Sequence, residues 1–336
     1  MKRYGYVLEK IVDDDNLINA FYNAQKHKRK KAEAINFEMN LLDEIKKIKK
    51  ELIDGTYKPK PYCVFYVYSP KKRLIHAPCF RDVVVQHAIY QVIYPIFNPT
   101  LICQNYACRK GYGTHKAGDY LKKCIRKVDD NLYYLQLDIQ KYFYLIDHEQ
   151  MKKIFLKKIK DKKAVNLLMM FVGSDLDKNK GLPIGNLLSQ LFASMYLNEM
   201  DNYIKKHLFV KRYVRYVDDF VCVGLTKELC FAFKEKIKIF LKRFKLKFSK
   251  YTIQKIKKDI NFCGYRHWKN KRLIRKYSLH KFTRKLKKNM FSSCISILGR
   301  AYKTQSIKSM IEQVVFFDKC DNFTFSIVNK LFLGGC

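Results

Sequence analysis

Acidic side chains are scarce in this chain: 30 Asp and Glu stand against 68 Lys and Arg, a formal net charge of +38 over 336 residues. So large an excess argues against a basic partner surface and calls for a polyanion. Proline (7) and glycine (13) are also few, and neither gathers into a linker. No internal repeat is present, so subdomain boundaries are not marked by composition. No uninterrupted apolar stretch approaches about 18 residues, and no secretory leader, amphipathic anchor or lipidation motif is present. The expectation is a cytoplasmic protein with no membrane partner. The 11 Cys are odd in number without Cys-x-x-Cys spacing, which leaves no case for a disulfide frame or a zinc site.

What is present is 48% apolar residues, enough for a large core and two or three subdomains, and 24 Tyr among the cations, suited to stacking on unpaired bases. Arg212-Tyr-Val-Arg-Tyr-Val217 and Phe220-Val-Cys-Val-Gly224 read as two short strands around Asp218-Asp219. The chain is therefore expected to reverse at the aspartates and hold both carboxylates at a hairpin tip. Two such charges repel, so one takes up a proton or both face a cation, and oxygen-only donors suit Mg²⁺. A plain surface turn is the alternative. Asp13-Asp14-Asp15 and Asp129-Asp130 differ, lying in polar surroundings as solvated turns or helix caps.

A second acidic strand end lies upstream. Tyr133-Tyr-Leu-Gln-Leu-Asp-Ile139 reads as a buried strand with Asp138 near its far end, and the Ile139 carbonyl is a candidate neighbouring ligand. Asp147 has a local role as N-cap of a helix over 149–160. Asp138 has none. Carboxylates from separate strands can clamp two Mg²⁺ ions for in-line attack on a phosphate.

Leu137-Asp-Ile-Gln-Lys-Tyr-Phe143, Gly181-Leu-Pro-Ile-Gly-Asn-Leu-Leu-Ser-Gln190, Tyr216-Val-Asp-Asp219 and Phe262-Cys-Gly-Tyr265 together resemble, in order and spacing, the palm motifs of a reverse transcriptase. The resemblance runs from about residue 36 to about residue 300. The form of residues 183–190 is similar to that of diversity-generating retroelement enzymes and some bacterial defence relatives. Retroviral and intron-encoded enzymes usually have Pro where Gln190 stands. The resemblance implies an α+β right-hand polymerase fold: an N-terminal helical extension (1–55), fingers (56–125), palm (126–278) and a helical thumb with tail (279–336).

It implies as well that Asp138 and Asp218 ligate two catalytic Mg²⁺ ions with Asp219 in support. Phe143 becomes a steric gate against the 2′-hydroxyl. Ile184, Gly185 and Gln190 fall at the incoming nucleotide, and an aliphatic Ile184 where retroviral enzymes carry Gln implies low fidelity. In the fingers, strand 62–68, turn Ser69-Pro-Lys-Lys72 and a return strand from Arg73 form a hairpin whose Lys72 and Arg73 would meet the triphosphate. Arg109 and Lys110, in a glycine-containing loop, and the hairpin of Phe262, Gly264 and Tyr265 would hold nucleic acid. Lys250 and Lys255 are both candidates for the acid that protonates pyrophosphate.

Three further segments read as helices. Residues 79–94 form one closed by Pro95, whose Arg81 and Asp82 pair with each other or hold template. Another, 226–243, turns Leu229, Phe233, Ile237 and Phe240-Leu241 to the sheet. The tail from Leu279 is helical and basic, with apolar clusters at 314–317 and 331–333.

The implied partners are template RNA, the cDNA/RNA duplex and deoxynucleoside triphosphates. A diversity-generating enzyme would add a small basic accessory protein, a defence enzyme a second defence protein. With no nuclease, integrase or maturase extension apparent, it is expected to work with separate proteins and a dedicated RNA. A non-catalytic RNA-binding protein of the same fold is the competing class.

Overall fold

Four helices precede the first strand: α1 (Val7–Ile11), α2 (Asp14–Gln25), α3 (Ala32–Met39) and α4 (Leu41–Asp54). In this computed structural model, which describes residues 2–68, 71–173 and 179–317, the Asp13 side chain caps α2 by accepting from the Asn16 amide. Phe21 stacks on Phe37 and meets the edge of Phe80. The N-terminal helices therefore share the main hydrophobic core.

Strands β1 (Cys63–Val67) and β2 (Arg73–Ala77) pair antiparallel, from Cys63 opposite Ala77 to Val67 opposite Arg73. Ser69 and Pro70 of the expected turn lie outside the described residues. Helix α5 (Phe80–Phe97) runs through Pro95 rather than ending before it. A proline in the last turn forfeits one backbone donor, and the apolar neighbours Ile93, Ile96 and Phe97 are buried, so packing carries the helix past it. Helix α6 (Thr114–Arg126) follows.

Strand β3 (Tyr133–Ile139) leads to α7 (Tyr142–Leu145), α8 (His148–Leu156) and α9 (Lys162–Gly173), then α10 (Leu187–Tyr196) and α11 (Asn198–Lys206). Asp147 caps α8 as expected, accepting from the Gln150 amide, but the helix stops at Leu156. Strands β4 (Arg212–Tyr216) and β5 (Asp219–Leu225), helix α12 (Lys227–Lys242) and β6 (Phe248–Lys255) complete a four-stranded antiparallel sheet in the order β4-β5-β3-β6.

Alternation assigns the faces of this sheet. Leu135, Leu137, Ile139, Phe220 and Cys222 join the large core formed with the helices. Tyr134, Val214, Val221 and Val223 face the other way, toward Leu121 and Ile125 of α6. Thr226 caps α12, and its buried stripe is Cys230, Ile237 and Leu241, while Leu229 is exposed. The helix backs the sheet, but one position out of the expected phase at its start.

A small sheet of β7 (Ile260–Phe262), β8 (Tyr265–His267) and β9 (Arg272–Ile274) joins the four-stranded sheet to α13 (Lys276–Leu286), α14 (Phe291–Ala301) and α15 (Ser306–Phe317). Phe282, Leu286, Leu298, Met310 and Val314 close a separate core with Tyr265 and Ile274. The apolar cluster expected at 331–333 lies outside the described residues. The chain is thus an α+β protein. Among the described residues, every cysteine is free and no helix is long and apolar enough to cross a membrane.

Candidate active site

Gln136 and Asp138 share the β3 face of Tyr134, because side chains alternate along a strand. Asp138 lies directly opposite Asp219 in the β3–β5 ladder, and the Ile139 amide donates to the Asp218 carbonyl at 3.3 Å. Folding therefore gathers Asp138, Asp218 and Asp219 at one edge of the sheet. The reversal differs by one residue from expectation. Tyr216 pairs with Asp219, so the turn is Val217-Asp218 and Asp219 opens β5. Val217 takes φ 57°, a region that β-branched residues avoid.

Two of the acids are perturbed by burial and by their acidic neighbours. Burial and the Asp138 charge raise Asp218, against the opposing pull of Arg73 and Lys71. Burial, then Asp138 and Asp218, push Asp219 up to about 7, although Gln136 Nε2 donates to its Oδ1 at 2.8 Å. A cation would relieve this repulsion, and the donors are hard oxygens. Among the described residues no three His, Cys, Asp or Glu side chains already form a metal cage. Mg²⁺ does not need one, since it is commonly held by one or two carboxylates plus substrate phosphates. The residues present thus fit that ion, and Asp138 and Asp218 are the candidates that would hold it. The Ile139 side chain is buried in the core, so only its carbonyl is a candidate ligand.

The β1–β2 hairpin brings its cations toward these acids with a parity other than expected. Arg73 pairs with Val67, and it is Lys71 together with Arg73 whose charges act on Asp218. Lys72 points the other way and sits over the rings of Tyr66 and Tyr68, at 4.3 and 5.9 Å. Lys71, not Lys72, is the second cation turned to the site.

Residues 181–190 thread between the β1–β2 hairpin and the segment that follows β3. The Gly181 amide donates to the Ile146 carbonyl, Leu182 to Phe143, and His76 of β2 to Ile184, each at 2.7 Å. Phe143 is half-buried at an edge-on contact with Tyr142, whose hydroxyl donates to the Ala193 carbonyl. Gly185 has φ +123°, and a Cβ there would stand 2.9 Å from the His76 carbonyl oxygen. Buried Asn186 donates to the Tyr62 hydroxyl, and Gln86 of α5 accepts from the Leu187 amide. Gln86, a buried polar residue in a largely apolar helix, was the available signal for this joint. Gln190 is exposed at the start of α10.

Other expected contacts are rearranged. Arg109 is turned inward, donating to Asn98, Ile102 and Asn105 and lying over Tyr112, so it holds its own loop; Lys110 is exposed. Arg81 pairs with Glu51 and buried Asp82 accepts from Tyr57 and the Lys60 amide, so Arg81 and Asp82 do not pair with each other. Phe262 and Tyr265 are buried in the cores on either side of their hairpin, which leaves only the Cys263-Gly264 turn to approach a strand end. That turn lies near Asp219, whose charge acts on the Cys263 thiol, and Gln136 bridges Asp219 to the Asn261 carbonyl. The β6 register sets Lys250 opposite Asp138 and Lys255 opposite Tyr133 at the far end. Of those two lysines, Lys250 is the one beside the acids.

A helix-backed antiparallel sheet with acids at adjoining strand ends, below a basic hairpin and followed by a helical bundle, is the layout of a polymerase palm, fingers and thumb. Residues 58–267 match the family Reverse transcriptase (RNA-dependent DNA polymerase), and the chain belongs to that family. It is 31% identical over 172 residues to the group II intron-encoded protein LtrA of Lactococcus lactis, a match covering 48% of this chain and 28% of that protein. Protein YkfC of Escherichia coli is 25% identical over 283 residues, 70% of this chain and 72% of that one. A solved structure of apo telomerase from Candida tropicalis, truncated from its C-terminal domain, aligns at 13% identity and a TM-score of 0.48 over 64% of this chain and 55% of that one.

Proposed function

We propose that the chain is an RNA-directed DNA polymerase using two Mg²⁺ ions. The observation that carries this reading is the register that sets Asp138 against Asp219 beside the Val217-Asp218 turn, within a chain of the reverse transcriptase family. Asp138 and Asp218 hold the ions, with the Ile139 carbonyl as a further oxygen, and Asp219 supports them. When bound, the ions lower the pKa of the primer 3′-hydroxyl and neutralise charge on the departing pyrophosphate. Arg73 and Lys71 orient the triphosphate, Arg73 through its fork. Phe143 lies beneath the sugar and excludes a 2′-hydroxyl. Lys250 is placed to deliver a proton to the leaving group. The Cys263-Gly264 turn and Lys110 contact the nucleic acid backbone.

The form of residues 183–190, with Gln190, supports reading the enzyme as one of a diversity-generating retroelement, and Ile184, lacking a polar grip on the nascent pair, supports low fidelity. It would then copy a dedicated structured RNA at low fidelity with a small basic accessory protein. The second reading is a defence enzyme copying its own non-coding RNA with a second defence protein; the same residues at 183–190 favour it. A variable repeat and target gene beside the coding sequence would decide for the first, immunity genes for the second.

Primer extension on an RNA template with labelled deoxynucleotides and Mg²⁺ tests the activity. Wild type should extend and Asp218→Asn should lose extension by at least about 10³-fold, because it removes a carboxylate that holds the ions the chemistry depends on. Equal signals from the two proteins would leave a nucleic-acid-binding protein instead.

A further inference from the structure

Arg215 is the largest side chain in the described residues that is fully buried. Its place in β4 explains why: Val214 and Tyr216 face α6, so alternation turns Arg215 with Tyr213 toward the helical core. An unpaired guanidinium could not stay there. Asp201 of α11, also fully buried, accepts Arg215 Nε at 2.7 Å and Nη2 at 2.6 Å, a bidentate pair, and Tyr213 donates to the same carboxylate at 2.7 Å.

The remaining donors do something that charge balance does not require. Nη1 donates to the Val217 carbonyl at 2.8 Å, and Nη2 donates to the Ser194 carbonyl of α10 at 3.0 Å. The Arg215 amide donates to Gln104 and its carbonyl accepts from Tyr106, while Asn105 donates to the Ser194 hydroxyl. One side chain thus ties α10, α11 and the Val217-Asp218 turn together at a point just ahead of Asp218.

Val217 is also the turn residue held at φ 57°. A valine reaches that conformation only where its surroundings impose it. A buried ion pair is itself weak evidence for stability, because apolar residues of the same volume often serve as well. The hydrogen bond to a strained carbonyl beside a candidate metal ligand gives the pair a different purpose.

We propose that Arg215, oriented by Asp201, is a positioning residue that imposes the Val217 conformation and thereby aims the Asp218 carboxylate. The inference rests on the polymerase reading only in what Asp218 is aimed at. Lysine at 215 keeps the charge but gathers its donors on one nitrogen, losing the bidentate fork on Asp201 and the separate Nη1 that reaches the Val217 carbonyl. Glycine at 217 adopts positive φ without being forced, so it should make the clamp dispensable.

The test uses the full chain as wild type, Arg215→Lys, Val217→Gly and the double variant, with Mn²⁺ binding followed by electron paramagnetic resonance and, separately, primer extension. Arg215→Lys should weaken Mn²⁺ binding about 10-fold and lower kcat roughly 30-fold or more while nucleotide KM stays within about 3-fold, the signature of a misaimed group rather than lost substrate binding. Val217→Gly in that background should return most of both. Unchanged Mn²⁺ binding in a folded Arg215→Lys protein overturns the proposal, and so does a loss that Val217→Gly leaves in place, which would make Arg215 a core-stability residue only. If Arg215→Lys does not fold, Asp201→Asn, which loosens the guanidinium without removing it, is read by the same criteria. Because the Mn²⁺ titration does not depend on turnover, a wild type that extends no primer would sink the polymerase reading alone.

Discussion

Replacing Gly185 by alanine should separate the fingers from the palm, and the structure gives the size of the effect. Gly185 has φ +123°, and its added Cβ would lie 2.9 Å from the His76 carbonyl oxygen and 3.0 Å from Ile75 Cγ2. The first of these is backbone and cannot swing aside. It can recede only by moving β2, whose His76 amide donates to Ile184 at 2.7 Å. The strained φ costs about 1–3 kcal/mol and a weakened hydrogen bond about 1 kcal/mol more, so the total is roughly 2–4 kcal/mol. Gly264 supplies the control, since it has φ +87° but open space where a Cβ would stand. Gly264→Ala should therefore cost only the conformational part, about 1–2 kcal/mol. In thermal unfolding followed by circular dichroism, each kcal/mol moves Tm by roughly 2–4 °C, which puts Gly185→Ala about 4–16 °C below wild type and Gly264→Ala about 2–8 °C below. Gly185→Ala should also raise nucleotide KM, because β2 carries Arg73. Equal Tm losses in the two variants, or an unchanged KM in Gly185→Ala, would refute the argument that His76 fixes the glycine.

Further outcomes follow from the acids and their neighbours. Asp219 is raised from its usual value to about 7, first by burial and then by Asp138 and Asp218. A carboxyl whose folded pKa is raised contributes stability that is present at low pH and lost as pH rises through the folded value. Without divalent ions, Tm should therefore fall as pH rises from about 4 to about 7, and Asp219→Asn should flatten that slope; an identical slope in the variant would exclude Asp219 as its source. Phe143→Ala should increase ribonucleotide incorporation in single-nucleotide extension assays, and an unchanged preference would remove Phe143 as gate. Ile184→Gln should lower the misincorporation counted opposite each template base, while no change would count against the low-fidelity reading.

The elements that local pattern can specify were legible in the sequence. Strand β3 was readable because apolar residues alternate up to Asp138, and β4 and β5 because aromatic and branched residues flank two acids. The turn between them was misplaced by one residue, since nothing in Val217 announces a positive φ. Helix α12 was readable as amphipathic, but its phase slipped because Cys230 rather than Leu229 enters the core. Lys71 was missed for a simpler reason. Counting alternate positions back from Arg73 leads to it, whereas adjacency leads to Lys72, which the strand turns to the opposite face.

What remained illegible shares a physical cause. Arg215 reads as a solvent-facing charge in a short strand, and only when α10 and α11 pack beneath that strand do the Ser194 carbonyl and the Asp201 carboxylate arrive to satisfy it. Gln86, Asn186 and Tyr62 likewise meet from three separate segments. Each of these polar groups would cost free energy if buried alone, so none can be judged core or surface until its partners are known. The acids that would touch substrate end their strands and break a local pattern. The residues that hold those acids in place conform to local patterns and depart from them only in the folded protein. A sequence reading is therefore biased toward groups that would meet the ligand and against the groups that aim them, which is why the Arg215 clamp had to come from the structure.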